Sequence, residues 1–243
     1  MLAYIAPPKK KQAISHFASK LALNIDGLGE KVVEQLVNSN LIHTPADIYR
    51  LTQEQLIELE RFGTKSAENL IKAITKSKVT TLSRLIYALG IRHVGEATAK
   101  DLAHTFGDLD TLSAALLEEL LQVKDIGEIV ATAIIDFFKE QHNRQVIKQL
   151  LELGLTYPKT QANSTFNSKI TSKTFVLTGT LPTLSRDEAK ILIEAQGGKI
   201  TSSVSAKTNY VVAGSEAGNK LDKAQQLGLT ILDEEQLKNL LHN

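Results

Sequence analysis

The chain has 243 residues, with 28 Lys and Arg against 27 Asp and Glu, no Cys and no Trp. That length accommodates one large or two modest domains, and 42% hydrophobic with 23% charged residues excludes a disordered or fibrous chain. The missing Cys excludes a disulfide framework, Cys-based zinc sites and thiol nucleophiles. A net charge of +1 excludes gripping nucleic acid by bulk charge, so any phosphate binding has to be local.

Along the chain, Met1-Leu-Ala-Tyr-Ile-Ala6 precedes Pro7, Pro8 and the run Lys9 to Lys11. Positive charge after a short apolar stretch is the reverse of a secretory signal. No run approaches the roughly 18 apolar residues of a membrane span, so no membrane association and an intracellular place are expected. Residues 1–14 read as an N-terminal segment, and 15–156 as a helical domain.

Four segments of that domain share one pattern: apolar, two variable residues, apolar, Gly, three variable residues, small or apolar. They are Ile25-Asp-Gly-Leu-Gly29-Glu-Lys-Val-Val33, Leu59-Glu-Arg-Phe-Gly63-Thr-Lys-Ser-Ala67, Ile91-Arg-His-Val-Gly95-Glu-Ala-Thr-Ala99 and Val123-Lys-Asp-Ile-Gly127-Glu-Ile-Val-Ala131. The shared glycines stand 34, 32 and 32 residues apart, a spacing that one chance match would not produce. Around the second, Thr52-Gln-Glu-Gln55 reads as a capping box, and Ala67, Leu70, Ile71 and Ile74 follow at helical spacing. Each unit is therefore predicted to be helix, tight turn, helix. Gly at the reversal is expected to supply unusual backbone angles and close approach, and the next helix presents unpaired N–H groups suited to a phosphate.

Charge is uneven. Residues 61–100 hold 8 basic and 2 acidic groups, net +6, whereas residues 101–160 hold 5 and 10, net −5. Arg61, Lys65, Arg84, Arg92 and Lys100 lie near the second and third glycines, so those two hairpins are expected to dominate phosphate binding. The first is expected to contribute through Gly27, Gly29 and Lys31. The fourth, with Asp125 and Glu128 beside Gly127, is expected to be mainly architectural.

The polar run of residues 157–168, with one Pro and little charge, reads as an interdomain linker. From Lys169 the texture becomes short strands alternating with helices. Thr174–Thr178, a short run near Ile200, Tyr210–Ala213 and Thr230–Leu232 read as strands. Ser185-Arg-Asp-Glu188 and Asp233-Glu-Glu-Gln236 read as capping boxes, and a helix is expected from about Asn219 to Leu227. This alternation predicts a small parallel four-stranded sheet flanked by helices over residues 169–243.

The repeated hairpin resembles the helix-hairpin-helix module of DNA repair proteins, which holds duplex phosphates without reading bases. Thr-Gly after the first strand, Gly197-Gly198 after the first helix, and Gly-Asn-Lys220-Leu-Asp-Lys223-Ala opening the second resemble a BRCT domain. The usual Trp of its last helix is missing, so Leu237, Leu240 and Leu241 are left to fill that core. By resemblance to phosphopeptide-binding members, Thr178, the Gly179 N–H and Lys220 would surround one phosphate. The competing reading leaves Thr178 as a strand end and Lys220 as a solvated lysine.

Four helix-hairpin-helix units followed by one BRCT domain resemble the C-terminal part of bacterial NAD-dependent DNA ligase. The likeness runs from about Ser15-His16-Phe17 through Asn24-Ile-Asp-Gly-Leu-Gly29, Phe62-Gly-Thr-Lys-Ser-Ala67 and Ala88-Leu-Gly-Ile-Arg-His-Val-Gly95 to the last helix. It implies sequence-independent binding of double-stranded or nicked DNA in replication and repair, at a cytoplasmic, nucleoid-associated place in a bacterial cell. The family's adenylation motif is Lys-x-Asp-Gly. The single Asp-Gly here, Asp26-Gly27, has Asn24 at the key position, and an amide cannot form the phosphoramidate. No catalytic residue is therefore expected on this chain, no metal site, and no bound cofactor. NAD and Mg belong to catalytic domains that the chain lacks, as it lacks the family's four-Cys zinc finger. The expectation is a ligase C-terminal fragment that does not ligate alone. The alternative is a non-catalytic interaction module that docks through BRCT on a ligase core or another repair protein. Gly214 to Lys220 lacks the junction and spacing of a Walker loop, and the six His form no metal-binding pair. His93 is expected on the surface or in the core, with a place beside a phosphate of the third hairpin as the competing reading.

Overall fold

The computed structural model describes residues 7–60, 62–159 and 169–242. The chain divides into two compact units, Met1–Ala162 and Asn163–Asn243.

In the first unit, α1 (Pro7–Ala18) leads to α2 (Glu30–Asn38), a 3-10 turn at Pro45–Arg50, α3 (Gln53–Ile57) and α4 (Thr64–Lys76). A second series follows: α5 (Leu82–Ala88), α6 (Glu96–Phe106), α7 (Leu109–Ser113), α8 (Leu117–Leu121), α9 (Glu128–Lys139) and α10 (Gln141–Glu152). Residues 7–14, read from the sequence as part of a separate segment, belong to α1. Pro is favourable at the start of a helix, where its missing N–H is not needed, and Ile14 is buried in the common core with Phe17.

That core is continuous from Ile14 to Leu155. Three contacts stitch its halves. Arg84 donates Nε to the Ala22 carbonyl at 2.8 Å and a guanidinium N–H to the Lys20 carbonyl at 2.6 Å. The ring of His16 lies within 2.7 Å of the Tyr87 carbonyl oxygen. Thr80 N–H donates to the Thr156 carbonyl and Thr156 N–H to the Lys78 carbonyl, at 3.0 and 2.7 Å.

The segment expected to begin the linker is tied to the helical unit as far as Lys159. Tyr157 Oη donates to Asp108 Oδ1 at 2.7 Å, and Lys159 Nζ to Asp108 Oδ2 at 2.7 Å. Burial, together with the bond to Asp108, pushes the Tyr157 hydroxyl well above the usual tyrosine range. Residues 160–168 lie outside the described residues.

In the second unit, β1 (Thr174–Thr178), β2 (Lys199–Thr201), β3 (Tyr210–Ala213) and β4 (Thr230–Leu232) form a fully parallel sheet of order β2-β1-β3-β4. Helices α11 (Arg186–Ala195), α12 (Asn219–Gln226) and α13 (Glu234–His242) cover it. Side chains alternate across a strand, so Phe175 and Leu177 join Ala189, Ile193 and Leu237 on one face, while Val176 joins Val211 and Ala224 on the other. Leu237 is fully buried and Leu240 and Leu241 pack beside it, filling the space expected of a Trp.

Glu234 fixes the loop after β1 to α13. It is buried, and its carboxylate accepts from Thr183 N–H at 2.9 Å, Leu184 N–H at 3.3 Å, the Thr183 hydroxyl, and Lys238 Nζ at 2.6 Å. The Lys238 and Thr183 bonds pull its pKa down to about 2.

Candidate nucleic-acid interface

The repeat pattern resolves into a common hairpin. In each, the N–H of the second apolar residue donates to the carbonyl of the first: Leu28 to Ile25, Phe62 to Leu59, Val94 to Ile91 and Ile126 to Val123, at 3.1–3.2 Å. Those turn residues are buried or partly buried. Four residues after each Gly, Val33, Ala67, Ala99 and Ala131 are completely buried. Every position of the pattern except Gly is thus accounted for by packing.

The glycines themselves are different. Gly29, Gly63, Gly95 and Gly127 are the N-cap residues of α2, α4, α6 and α9, with φ between −77° and −98°. These are extended angles open to any residue, which corrects the expectation of unusual backbone at the repeat Gly. The left-handed position lies two residues earlier, where Gly27, His93 and Asp125 have φ of 86°, 66° and 59°. A Cβ placed on any of the four N-cap glycines meets nothing within 4 Å, and all four are exposed. Neither conformation nor internal packing demands Gly there.

Each Gly leaves its helix without a side-chain cap, in contrast to Thr52 on α3 and Thr81 on α5. The first bond of the helix runs from the N–H four residues on to the Gly carbonyl, as from Ala67 to Gly63 at 3.0 Å, so the preceding amides face outward. In the fourth hairpin Val130 N–H also donates to Gly127, at 3.1 Å, which removes one of those amides.

Charge grades the hairpins further. Glu30, Glu96 and Glu128 open α2, α6 and α9, where a carboxylate competes with phosphate for the amides and the helix dipole. The first turn of α4, Thr64-Lys65-Ser66, has no acid. Sequence reasoning missed this distinction and the Thr64 hydroxyl with it, although the residue after each repeat Gly spelled it out.

The expected basic residues fall into separate groups. Lys31 and Arg92 are exposed beside their hairpins. Lys65 is exposed and lies 3.5 Å from Glu68, whose carboxyl is held below the ordinary range chiefly by its bond from Lys72. Lys100 pairs with Glu96 at 2.5 Å. Such exposed pairs contribute about 0–1 kcal/mol, so either lysine can exchange its partner for a phosphate at small cost. Arg84 is not a free cation, because both of its bonded arms hold the turn after α1. Arg61 lies outside the described residues. His93 is exposed, and Asn24, two residues before Asp26-Gly27, has φ 52°.

The second unit does not leave the Thr178 hydroxyl free for the expected phosphate cradle. Thr178 is buried and its hydroxyl donates to the Ala217 carbonyl at 2.5 Å. A Cβ on Gly179 would stand 2.5 Å from the Ser215 carbonyl oxygen, because the loop after β3 lies directly against it. That loop is paired with the end of β1 through reciprocal Thr180 and Ser215 backbone bonds at 2.8 and 2.9 Å. The nearby cavity, about 150 Å³, is lined by Thr178, Gly179, Ser185 and Arg186 but not by Lys220. The Thr178 hydroxyl is therefore not a free donor, and Lys220 does not line this cavity.

Residues 19–76 match the family model of a SAM-like helix-hairpin-helix tandem, and residues 84–147 that of a helix-hairpin-helix motif. Residues 166–241 match that of the BRCA1 C Terminus (BRCT) domain. The protein is a helix-hairpin-helix region followed by a BRCT-like domain with a four-stranded parallel sheet. Modules of the first kind suggest non-specific DNA binding, and the second a repair or interaction module. Among the described residues no helix is long and apolar enough to cross a membrane, and no three acidic or His groups gather where they could hold a metal ion.

Proposed function

We propose that the helical unit binds double-stranded or nicked DNA without sequence preference, as the C-terminal DNA-holding portion of an NAD-dependent DNA ligase acting in replication and repair. The observation that carries this reading is the set of four exposed, uncapped helix N-termini at glycines that the fold itself does not require. Backbone amides recognise phosphate oxygens and leave the bases unread. The second hairpin, free of acid in its first turn, makes the strongest contact through Gly63 and Lys65. Gly95, Arg92 and Lys100 follow, then Gly27, Gly29 and Lys31, with Gly127 last.

The order of the three matched domains supports the ligase reading. In it, sealing chemistry belongs to a catalytic part that carries its own lysine, NAD and Mg, while this chain orients the nicked duplex. The BRCT unit docks on that catalytic part or on a repair protein. Titrating a nicked duplex and two unrelated sequences at rising salt tests the reading. Affinities should agree across sequences, and log affinity should fall with log salt at a slope near −0.9 per neutralised phosphate. Absent binding at low salt overturns it.

A further inference from the structure

A groove of about 410 Å³ lies on the helical unit where the α7–α8 connection meets α9 and the start of α10. Leu116, Leu117, Ile135 and Phe138 are among its walls, and Lys139 and Arg144 stand at its edge. Its size is that of a pocket able to take several side chains. Leu116 is 62% exposed and Leu117 40%, a large solvent contact for adjoining leucines. The lip is held in place, since Leu116 N–H donates to Glu119 Oε2 at 2.8 Å, and the opposite corner by the Asn143 side-chain bond to the Phe137 carbonyl at 3.0 Å.

Both edge cations are exposed, and neither side chain makes a hydrogen bond or ion pair among the described residues. They stand out in a stretch, residues 101–160, whose net charge is −5. The exposed Asp136 and Glu140 of the same corner are not in its walls. An apolar floor with two unpartnered cations complements a chain segment carrying apolar anchors and carboxylates. A phosphate backbone would use the cations but leave the leucines without a partner. Phe138 stands eleven residues along α9 from Gly127, about 16 Å at 1.5 Å per residue, so an occupant need not cover the hairpin.

We propose that this groove docks an acidic, apolar segment of a partner protein. It does so independently of the DNA reading, on a face of its own. The test is selection of a phage-displayed library of 12-residue peptides on the full chain. Enriched peptides are then measured by fluorescence anisotropy against wild type, Leu116→Ser, and the double variant Lys139→Glu/Arg144→Glu. These positions are exposed, and circular dichroism should report an unchanged fold. Enriched peptides should combine Leu, Ile or Phe with Asp or Glu, and bind each variant at least tenfold more weakly, while the variants hold nicked duplex as wild type does. The proposal is overturned if no peptide is enriched, if enriched peptides lack acids, or if the variants bind them equally. It is also overturned if nicked duplex displaces the peptides. Dimerisation of wild type, lost in the double variant, would assign the groove to a second copy and overturn it as well.

Discussion

Replacing Gly63 and Gly95 by Ala separates a glycine kept for the fold from one kept for a ligand. Their φ values, −88° and −85°, suit Ala, and the added methyl meets no atom of the protein within 4 Å. Gly to Ala at a compatible angle stabilises by about 0.4–1 kcal/mol through the unfolded chain. Ala is a poorer N-cap than Gly by roughly 0.5–1 kcal/mol. The two terms nearly cancel, leaving a net change within about 0.5 kcal/mol for each variant. Bound DNA has no such compensation, because the methyl stands where phosphate must approach the first-turn amides. Hydrogen bonds to a charged group contribute about 1.5–3 kcal/mol each, so losing one weakens binding roughly ten- to a hundredfold. Anisotropy with a nicked duplex at fixed low salt, run beside urea unfolding, measures both quantities. The losses from two separate hairpins should add in the double variant. Unchanged affinity at unchanged stability would refute a ligand role for the glycines, and a large loss of stability would return them to the fold.

The other expectations address charge and strain. Lys65→Glu should weaken duplex binding about tenfold and Lys124→Glu less than threefold, since the fourth hairpin already has acids at Asp125 and Glu128 and one amide engaged; equal losses in the same titration would abolish the ranking. Asp125→Gly relieves a left-handed non-Gly residue and should raise the urea midpoint by the equivalent of up to about 1 kcal/mol, with a fall counting against strain at that turn. Glu234 titrates near 2 when folded against an ordinary value of 4.5, so its contribution to stability is complete above about 4.5 and is lost as pH falls toward 2. Glu234→Gln should therefore flatten the pH dependence of β1 and β3 amide exchange in that window; an unchanged profile would show that another group governs it.

Much of the fold could be read from local chemistry. The capping box at Thr52 and Gln55, and that at Ser185 and Glu188, form as the residue types dictate, with reciprocal side-chain to backbone bonds. The four strands follow from apolar runs bounded by turns, and the parallel pairing of β1 with β2 and of β3 with β4 from the helix between each pair. What escaped depends on partners distant in sequence. Arg84 looked like a DNA cation until its acceptors, the carbonyls of Lys20 and Ala22, were found more than sixty residues away. Thr178 looked like a phosphate donor until the loop carrying Ala217 closed over it. Asp233 and Gln236 form their box as read, but nothing local marks Glu234 between them, whose carboxylate reaches back to Thr183. No local pattern encodes any of these pairings.

The repeat itself shows how one sequence signal can hold two causes. Apolar residues at its first and second positions and a small residue at its last recur because each hairpin must close and then bury its second helix in the common core. Those positions would be the same in a bundle that bound nothing. The Gly between them recurs at a place where φ is ordinary and space is open, so beyond its modest value as an N-cap the fold does not require it. Hairpins one, three and four then place Glu directly after that Gly, whereas the second places Thr. On the proposed DNA reading, closely similar hairpins thus present anion sites of unequal strength. On that proposed reading, each weakened site subtracts phosphate contacts without disturbing the core, which suits a module proposed to hold a duplex in register and still release it.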